Sequence, residues 1–239
     1  MNDILILKNI SREGPGILDH VLFEQQVDSV TVDLDAGETL PPTDDFSALI
    51  VLGGPDSAND LTPKIQSEIA YLQQALEGGM PCLGICLGLQ LLVKAAGGSV
   101  VKSPQKEVGF FSPDGIPYTV DLTGDGMRDP LTDGIESPFR VFQLHGETVV
   151  LTGGMTLLGT GNAVQNQIVR YGRSAYGIQC HFELTRQMLA EWCAQDDDLK
   201  QLDSSMLLEQ FSAIEEAYTQ VGRTLFTNFV NTVRMYPAG

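Results

Sequence analysis

The sequence predicts an α/β fold: a central, mainly parallel sheet with helices on both faces and a C-terminal helical appendage. Short apolar runs at residues 4–7, 47–54 and 80–85 indicate strands that are buried on both faces. Helix-type segments at 62–77 and 87–98 alternate with these strands along the chain. Strands and helices that alternate in this way form parallel sheets, because each helix carries the chain back across the sheet.

Local signals predict the other elements of this fold. The β-branched residues within 28–34 indicate a further strand, and Thr62 followed by Pro63 is typical of a helix start. Between residues 98 and 182 the chain carries several short strand-like segments. We expect these segments to extend the same sheet as antiparallel strands.

The chain after residue 184 is predicted to be helical, and the aspartates at 196–198 to form a solvated loop between two helices. We predict an α/β domain over residues 1–190, with a C-terminal helical extension over 191–239 packed on the same domain. Capping of that domain is the favoured role of the extension, and a homodimer interface is the alternative. Apolar residues recur near three and four positions apart in this tail at Met206, Phe211, Ile214, Ala217, Val221, Leu225 and Phe229.

Composition excludes several classes of partner. The chain has 31 acidic and 14 basic residues, a formal net charge of −17, which argues against a nucleic-acid or anionic-membrane partner. It contains no run of 18 apolar residues, so no transmembrane helix is expected, and its N-terminus does not have the pattern of a secretory signal. Its four cysteines form no CxxC pair and do not suggest a disulfide framework. We therefore expect a cytoplasmic protein.

The most informative motif is Gly84-Ile85-Cys86-Leu87-Gly88, at the junction of a predicted strand and a predicted helix. It is the G-x-S-x-G nucleophile elbow with cysteine in the place of serine. Glycines are needed there because a Cβ on either side would collide within the strained turn. The turn also places Cys86 at a helix N-terminus, whose dipole favours a thiolate. The alternative is a buried structural cysteine between helix-packing glycines.

A cysteine nucleophile needs a base, and the chain offers His20, His145 and His181. His181 ends an apolar strand and is followed two residues later by Glu183. Glu183 would accept a hydrogen bond from the imidazole and fix its tautomer, which is the role of the third member of a triad. We therefore predict Cys86, His181 and Glu183 as the catalytic residues.

A third motif, Gly53-Gly54-Pro55, ends another predicted strand. Ligands bind parallel sheets outside the carboxyl ends of the strands, where this loop and the elbow both lie. The backbone amides of Gly54 and Leu87 are predicted to form an oxyanion hole. The alternative is an ordinary glycine-rich turn.

Together, these motifs resemble those of the class I, or triad, glutamine amidotransferases. The resemblance rests on a G-G-P strand end at 53–55, a G-x-C-x-G-x-Q elbow at 84–90 and an H-x-E at 181–183, in the order that the family has. It covers roughly residues 3–190 and implies a flavodoxin-like fold. It also implies that Cys86 attacks the side-chain amide of glutamine, while His181 transfers the proton and ammonia leaves.

The resemblance also implies a set of substrate-binding residues and a branch of the family. The predicted substrate-binding residues are Gly53, Gln90, His145, Gly146 and Glu147, with the amides of Gly146 and Glu147 on the α-carboxylate. The K-E-x-G stretch at 106–109 is similar to the branch that includes the amidotransferase domain of GMP synthetase. We expect no cofactor and no metal, because the spacing of the cysteines and histidines matches no zinc pattern.

Three functions remain open at this point. The first is a stand-alone glutamine amidotransferase that supplies ammonia to a synthetase partner, since the chain has no room for a synthetase and no phosphate-binding loop motif. The second is a free-standing γ-glutamyl hydrolase or peptidase, a function compatible with Leu144, where many relatives carry a polar or aromatic residue. The third is a non-catalytic binding module, which the intact triad disfavours. Cys180 and Phe182 also depart from the family pattern, but neither removes a catalytic group.

Overall fold

The computed structural model describes residues 3–236, so the ends of both predicted segments, 1–2 and 237–239, lie outside the described residues. The strands are β1 (Ile4–Lys8), β2 (Ser29–Asp33), β3 (Ala48–Val51), β4 (Cys82–Ile85), β5 (Ser99–Gly109), β6 (Thr119–Leu122), β7 (Phe139–Arg140), β8 (Gln143–Val150), β9 (Met155–Gly161), β10 (Asn166–Tyr171) and β11 (Ala175–Ile178). The α-helices are α1 (Ile17–Glu24), α2 (Pro63–Glu77), α3 (Leu87–Ala95), α4 (Arg186–Gln195), α5 (Ser204–Ser212) and α6 (Glu215–Met235). Within residues 3–236, no helix combines the length and the apolar character needed to cross a membrane.

One large sheet organises the described part of the chain. Its nine strands have the order β2-β1-β3-β4-β11-β10-β9-β6-β7. The first five run parallel to one another, and the other four continue the sheet with antiparallel pairing. This arrangement confirms the predicted α/β fold. The carboxyl ends of β1, β3, β4 and β11 therefore share one edge of the sheet.

The continuous apolar runs follow from burial on both faces of this sheet. In β1, Ile4 and Ile6 belong to one hydrophobic cluster, and Leu5 and Leu7 belong to the other. Successive side chains of a strand point to opposite faces, so a strand covered on both sides must be apolar at every position. The first cluster also contains residues of α1, α4 and α6, and the second contains residues of α2 and α3.

Two of the short strands do not join the large sheet. β5 and β8 pair with each other in a separate antiparallel sheet that packs against α3. The expectation that all short strands extend one sheet is therefore wrong for these two segments. β5 is longer than any of the short strand-like segments that the sequence suggests. Its pairing with β8 is broken between Lys102 and Glu107 by a register irregularity. That irregularity allows one long strand to contact α3 at one end and the Cys86 region at the other.

The helices match the sequence in part. Thr62 caps α2 by accepting a hydrogen bond from the amide of Ile65, as its position before Pro63 predicts. Helix α1 was not predicted, since it is only eight residues long and its preceding residue, Gly16, provides no side-chain cap. The tail pattern is divided between two helices, because α5 ends at Ser212 and α6 begins at Glu215.

Helix α6 shares the main hydrophobic core. It packs along α1, and its side chains Leu225, Phe226 and Phe229 are fully buried in the cluster that contains Ile4 and Ile6 of β1. The extension is therefore continuous with the packing of the α/β unit. The division of the chain at residue 190 stays a prediction.

We expect Phe229→Ala to destabilise the whole protein by about 3–5 kcal/mol, because truncation of a buried phenylalanine removes apolar contacts and leaves a cavity. The matched control in the same helix is Met235→Ala, since Met235 is 61% exposed and should change the free energy of unfolding by less than about 0.5 kcal/mol. Urea denaturation followed by circular dichroism measures both. Equally small changes in the free energy of unfolding for the two variants would contradict the packing of α6 in the main hydrophobic core.

Candidate active site

Cys86 occupies a sharp turn between β4 and α3. Its backbone has a φ of 53° and a ψ of −106°, a conformation that residues other than glycine rarely adopt. A Cβ on Gly84 would collide with the backbone of Gly88, and a Cβ on Gly88 would collide with the carbonyl of Val51. Both glycines are therefore required for α3 to approach β3 and β4, and the turn has the geometry of a nucleophile elbow.

The turn places the Cys86 thiol in a nearly buried position at the start of α3. The Cys86 amide donates a hydrogen bond to Ile178 of β11 at 2.8 Å, which fixes the turn against the neighbouring strand. The sulfur lies 3.7 Å from the carbonyl oxygen of Leu144. Because the thiol stands at the N-terminus of a helix, the helix dipole stabilises negative charge on the sulfur.

His181 and Glu183 form a buried pair just beyond the carboxyl end of β11. The Nδ1 atom of His181 lies 2.6 Å from Oε1 of Glu183, and each side chain is only 2% exposed. This contact fixes the ring and leaves Nε2, the other ring nitrogen, for the side of Cys86. The structure therefore brings Cys86, His181 and Glu183 together, and their role as a catalytic triad stays a prediction.

The charge state of His181 depends on its neighbours. Burial alone would lower the pKa of His181, but the charges of Glu183 and Cys86 and the hydrogen bonds to them outweigh it and hold this pKa well above its usual value. The site therefore favours an imidazolium next to the sulfur.

Aromatic side chains from distant parts of the chain enclose the His181 ring. The rings of Trp192 and Phe142 contact it edge-on, with centroids 5.2 Å and 6.2 Å away. The Tyr218 hydroxyl of α6 donates a hydrogen bond to the backbone carbonyl of His181, and the His181 amide donates one to Phe142. The His181 segment is therefore held by Phe142, just before β8, and by two of the three C-terminal helices, α4 and α6.

The glycine loop after β3 lies against the same site. A Cβ on Gly53 would stand 3.0 Å from Cε1 of His181 and 3.5 Å from Cβ of Cys86. A Cβ on Gly54 would stand 3.3 Å from the side chain of Leu87. The two predicted oxyanion residues, Gly54 and Leu87, are therefore neighbours, and both line the cavity with Cys86.

Four of the five predicted substrate-binding residues, namely Gln90, His145, Gly146 and Glu147, line the same cavity as Cys86. The amide nitrogen of Gln90 makes long contacts with the carbonyl of Glu147, at 3.4 Å, and with Gln179, at 3.5 Å. The Glu147 carboxylate accepts a hydrogen bond from Ser57 at 2.7 Å. These long contacts leave the Gln90 amide available to a ligand.

The His145 ring has a structural environment. Its Nδ1 lies 3.0 Å from the carbonyl of Glu147, and its Nε2 lies 2.9 Å from the carboxylate of Glu107, which is fully buried. Both ring nitrogens therefore have partners, and the side chain is almost completely buried. The ring holds β5 and β8 together, which leaves His181 as the histidine that faces Cys86.

The site opens into a cavity of about 500 Å³, lined by residues that the sequence predicted and by others that it did not. The lining residues that the sequence analysis did not assign to the site are Arg12, Glu13, Pro55, Asp56, Ser57, Lys106, Gln195, Asp196, Asp197 and Asp198, while Leu144 lies close to the thiol. Arg12 and Glu13 follow β1, whose carboxyl end lies at the same sheet edge as the elbow. Their position after β1 is the sequence signal that could have predicted their place in the site.

The interpretation of residues 196–198 as a solvated loop needs correction. Asp196 forms an ion pair with Arg12 at 3.1 Å, and Asp198 forms one with Lys106 at 2.5 Å, whereas Asp197 is 95% exposed. The loop therefore borders the cavity and connects the segment after β1 with β5. Acidic runs are usually solvated, and the basic partners lie too far away in sequence for a local pattern to reveal them.

The thiols of Cys82 and Cys180 are not available for reaction. Cys82 and Cys180 are fully buried, and burial raises the pKa of Cys82 to about 12 and the pKa of Cys180 well above its usual value. Both therefore stay protonated and unreactive.

Residues 3–236 contain no group of three or more histidine, cysteine or acidic side chains arranged to hold a metal ion.

The geometry and the family comparison agree. Residues 17–191 match the sequence model of the glutamine amidotransferase class-I family, and the chain belongs to this family. A glutamine amidotransferase from Thermotoga maritima has a similar structure, with a TM-score of 0.85 and 28% sequence identity over 96% of this chain and 99% of that chain. The predicted family resemblance is confirmed.

Curated relatives with different names are similar to this chain. The glutamine amidotransferase-like protein YfeJ of Salmonella typhimurium is 38% identical over 63% of this chain and 62% of its own length. The γ-glutamyl-L-1-hydroxyisopropylamide hydrolase of a Pseudomonas species is 31% identical over 60% of this chain and 49% of its own length. A glutamine-hydrolyzing GMP synthase of Natranaerobius thermophilus is 29% identical over 64% of this chain, which is 28% of that protein. The chain thus spans under two thirds of each relative.

We expect Gly88→Ala to destabilise the protein by about 3 kcal/mol or more, because the new methyl group would collide with the Val51 backbone, which cannot move without disrupting β3. Gly153→Ala is the matched control, since no atom lies within 4 Å of its Cβ position. Thermal unfolding of both variants measures the difference. A Gly88→Ala protein as stable as the control would contradict the proposed packing of the elbow.

Proposed function

We propose that the protein hydrolyses a γ-glutamyl amide, glutamine in the simplest case, through a thioester on Cys86. The observation that carries this proposal is the contact between the buried His181–Glu183 pair and a cysteine in an elbow turn. A thiolate beside an imidazolium is the reactive state of cysteine acyl-transfer enzymes. Membership of the class I family supports the same chemistry.

In the first half-reaction, the Cys86 sulfur attacks the γ-carbonyl carbon and forms the C–S bond. The carbonyl oxygen becomes an oxyanion, which the amides of Gly54 and Leu87 stabilise by hydrogen bonds. The C–N bond then breaks, and the nitrogen takes a proton from Nε2 of His181 and leaves as ammonia or an amine. Glu183 stabilises the imidazolium through Nδ1 until the proton is transferred.

In the second half-reaction, water replaces the amine. Neutral His181 takes a proton from this water, the hydroxide adds to the thioester carbonyl, and the C–S bond breaks to return the Cys86 thiolate and release glutamate. Because Nδ1 of His181 is paired with Glu183, Nε2 serves both steps. No cofactor or metal is needed for this sequence of bond changes.

The glutamyl part of the substrate is proposed to bind along Gly53, Gln90, Gly146 and Glu147. The Gln90 side chain and the backbone amides of Gly146 and Glu147 supply polar groups within the cavity. His145 supports this wall through its contacts with Glu107 and Glu147. A bound α-amino group would find the Glu147 carboxylate nearby, because Glu147 itself lines the cavity.

A γ-glutamyl hydrolase that acts on substituted amides is the second candidate function. Two observations favour it: similarity to a hydrolase whose name gives a substituted γ-glutamyl amide, and a cavity that continues past the Cys86–His181 pair. In the first candidate, ammonia passes to a synthetase partner, which the similarity to a GMP synthase supports. A cytoplasmic location and a homodimer stay predictions.

Incubation of the purified protein with glutamine and with γ-glutamyl dipeptides, while ammonia and glutamate are followed, tests the proposal. We expect Cys86→Ala to lose all turnover while it keeps its fold, because the nucleophile is lost and alanine fills the same turn. Glutamine hydrolysis without peptide cleavage would indicate the amidotransferase, and the reverse would indicate the hydrolase. Turnover that persists in Cys86→Ala would contradict the mechanism, and failure of a glutamine-like electrophile to label Cys86 would favour a binding module.

We expect Glu183→Gln to reduce kcat by about 10,000-fold, the loss seen when the orienting carboxylate of a Ser-His-Asp triad is neutralised. The same variant should lower the pKa of His181, because the negative charge that stabilises its imidazolium is removed. Histidine resonances followed against pH by NMR measure this change. A His181 pKa that does not fall would show that Glu183 does not determine the charge state of the ring.

A further inference from the structure

The cavity contains a buried carboxylate that the proposed mechanism does not use. Glu13 lines the cavity after β1, and its side chain is only 6% exposed. Its Oε1 lies 4.0 Å from the Arg12 guanidinium, while its Oε2 has no hydrogen-bond partner among the described residues. A buried carboxylate oxygen without a partner is costly, and such groups are retained at sites that receive a ligand.

The position of Glu13 relates it to the bond that breaks. Its Oε2 lies 2.9 Å from the point where a Cβ on Gly53 would stand, and Cε1 of His181 lies 3.0 Å from the same point. Cε1 is bonded to Nε2, the atom that delivers the proton to the leaving nitrogen. Glu13 therefore lies near the place where the leaving amine separates from the substrate.

Glu13 is part of a segment that is fixed against the triad. The Ile17 amide donates a hydrogen bond to the carbonyl of Glu183 at 2.9 Å, and the Glu13 amide donates one to Ile10 at 3.1 Å. Gly16, with a φ of +51°, allows this close approach, because a Cβ there would collide with the Glu183 carbonyl. The backbone that carries Glu13 is thus held beside the triad before any ligand binds.

Together with Arg12, Gln195 and Asp196, Glu13 lines one part of the cavity, which we call the leaving-group arm. Its charges are two carboxylates, Glu13 and Asp196, and one guanidinium, Arg12, which contacts both. At the rim, Asp198 is paired with Lys106, and Asp197 with Lys200. The arm therefore has an excess of negative charge when Glu13 is ionised.

The environment of Glu13 makes its charge responsive to a ligand. Burial raises the pKa of Glu13 to about 7, while His181 and Arg12 lower it and Glu183 and Asp196 raise it. A cation placed beside Oε2 would favour the ionised carboxylate and gain a charge-assisted hydrogen bond.

We propose, on the basis of the γ-glutamyl amide chemistry above, that the leaving-group arm binds the nitrogen substituent of a substituted γ-glutamyl amide, and that Oε2 of Glu13 accepts a hydrogen bond from an ammonium group on it. The substrate class is therefore the γ-glutamyl derivative of a diamine, rather than a γ-glutamyl dipeptide. A cavity of about 500 Å³ is larger than glutamine alone requires, since pockets of about 300–1,000 Å³ bind drug-sized ligands.

A carboxylate on the leaving group would fit this arm poorly. It would lie beside Glu13 and Asp196, while Arg12 already contacts both of these side chains and His181 is already paired with Glu183. The Nε of Arg12 has no partner among the described residues, but a dipeptide carboxylate there would be the third anion around a single guanidinium. Charge complementarity thus selects amines over amino acids.

Binding to the Cys86→Ala protein tests the inference independently of turnover. Titration calorimetry would measure Kd for γ-glutamyl-aminoethylamide, which carries an ammonium group, and for γ-glutamylglycine, which carries a carboxylate. We expect the ammonium compound to bind at least about tenfold more tightly, from one charge-assisted hydrogen bond. Adding Glu13→Gln should abolish this preference.

Glu68→Gln, made in the same Cys86→Ala protein, is the matched control. Glu68 is a buried carboxylate of α2 whose pKa is likewise raised to about 7 by burial, and it does not line the cavity. The Glu68→Gln variant should keep the preference of the Cys86→Ala protein for the ammonium compound. Thermal unfolding of each variant confirms that the fold persists, and the ratio of the two Kd values compares ligands within one protein, so a general loss of stability does not change it.

The outcomes separate this inference from the proposed function. Equal Kd values for the two ligands, or a preference that survives Glu13→Gln, would overturn the role of Glu13 even if wild-type protein hydrolyses glutamine. A preference that Glu13→Gln removes would support the arm even if glutamine is not hydrolysed. Tighter binding of γ-glutamylglycine would overturn the inference and favour a peptidase.

Discussion

The buried His181–Glu183 hydrogen bond is the interaction on which most of the structure around the site depends. Two ionisable side chains enclosed at 2% exposure are stable only if they are paired, because removal from water destabilises a lone charge. The enclosure comes from Phe142 before β8, Trp192 of α4 and Tyr218 of α6. The segment between β7 and β8 and the helices α4 and α6, which carry none of the predicted triad residues, thus meet around one imidazole.

Cys86 is positioned in a different way. The elbow is fixed by backbone contacts of Gly84 and Gly88 and by the hydrogen bond from the Cys86 amide to Ile178, so the sulfur has little freedom to move. The His181 ring is held by side-chain packing. The Cys86 sulfur and the His181 ring therefore approach each other where the rigid turn after β4 meets the packed imidazole. The backbone of the loop at Gly53 lies against both residues.

The sequence predicted the parts of the site whose signals are local. The elbow around Cys86 and the His181-x-Glu183 pair are each contained in a few residues, and the rule that parallel strands share one edge brings them together. Glu13 and Asp196 have no such signal, because their significance depends on burial and on Arg12, which lies 184 positions from Asp196. β5 and β8 were assigned to the wrong sheet for the same reason: strand patterns do not specify the partner strand.

The contact between Tyr218 and the His181 carbonyl also has a consequence for biosynthesis. Chains are made from the N-terminus, so Cys86 leaves the ribosome well before His181, and α6 emerges last. Until that helix docks, the imidazole lacks its complete enclosure and the sulfur lacks a fixed base. In the mechanism proposed above, the sulfur therefore acquires its base only after α6 has been made and has docked.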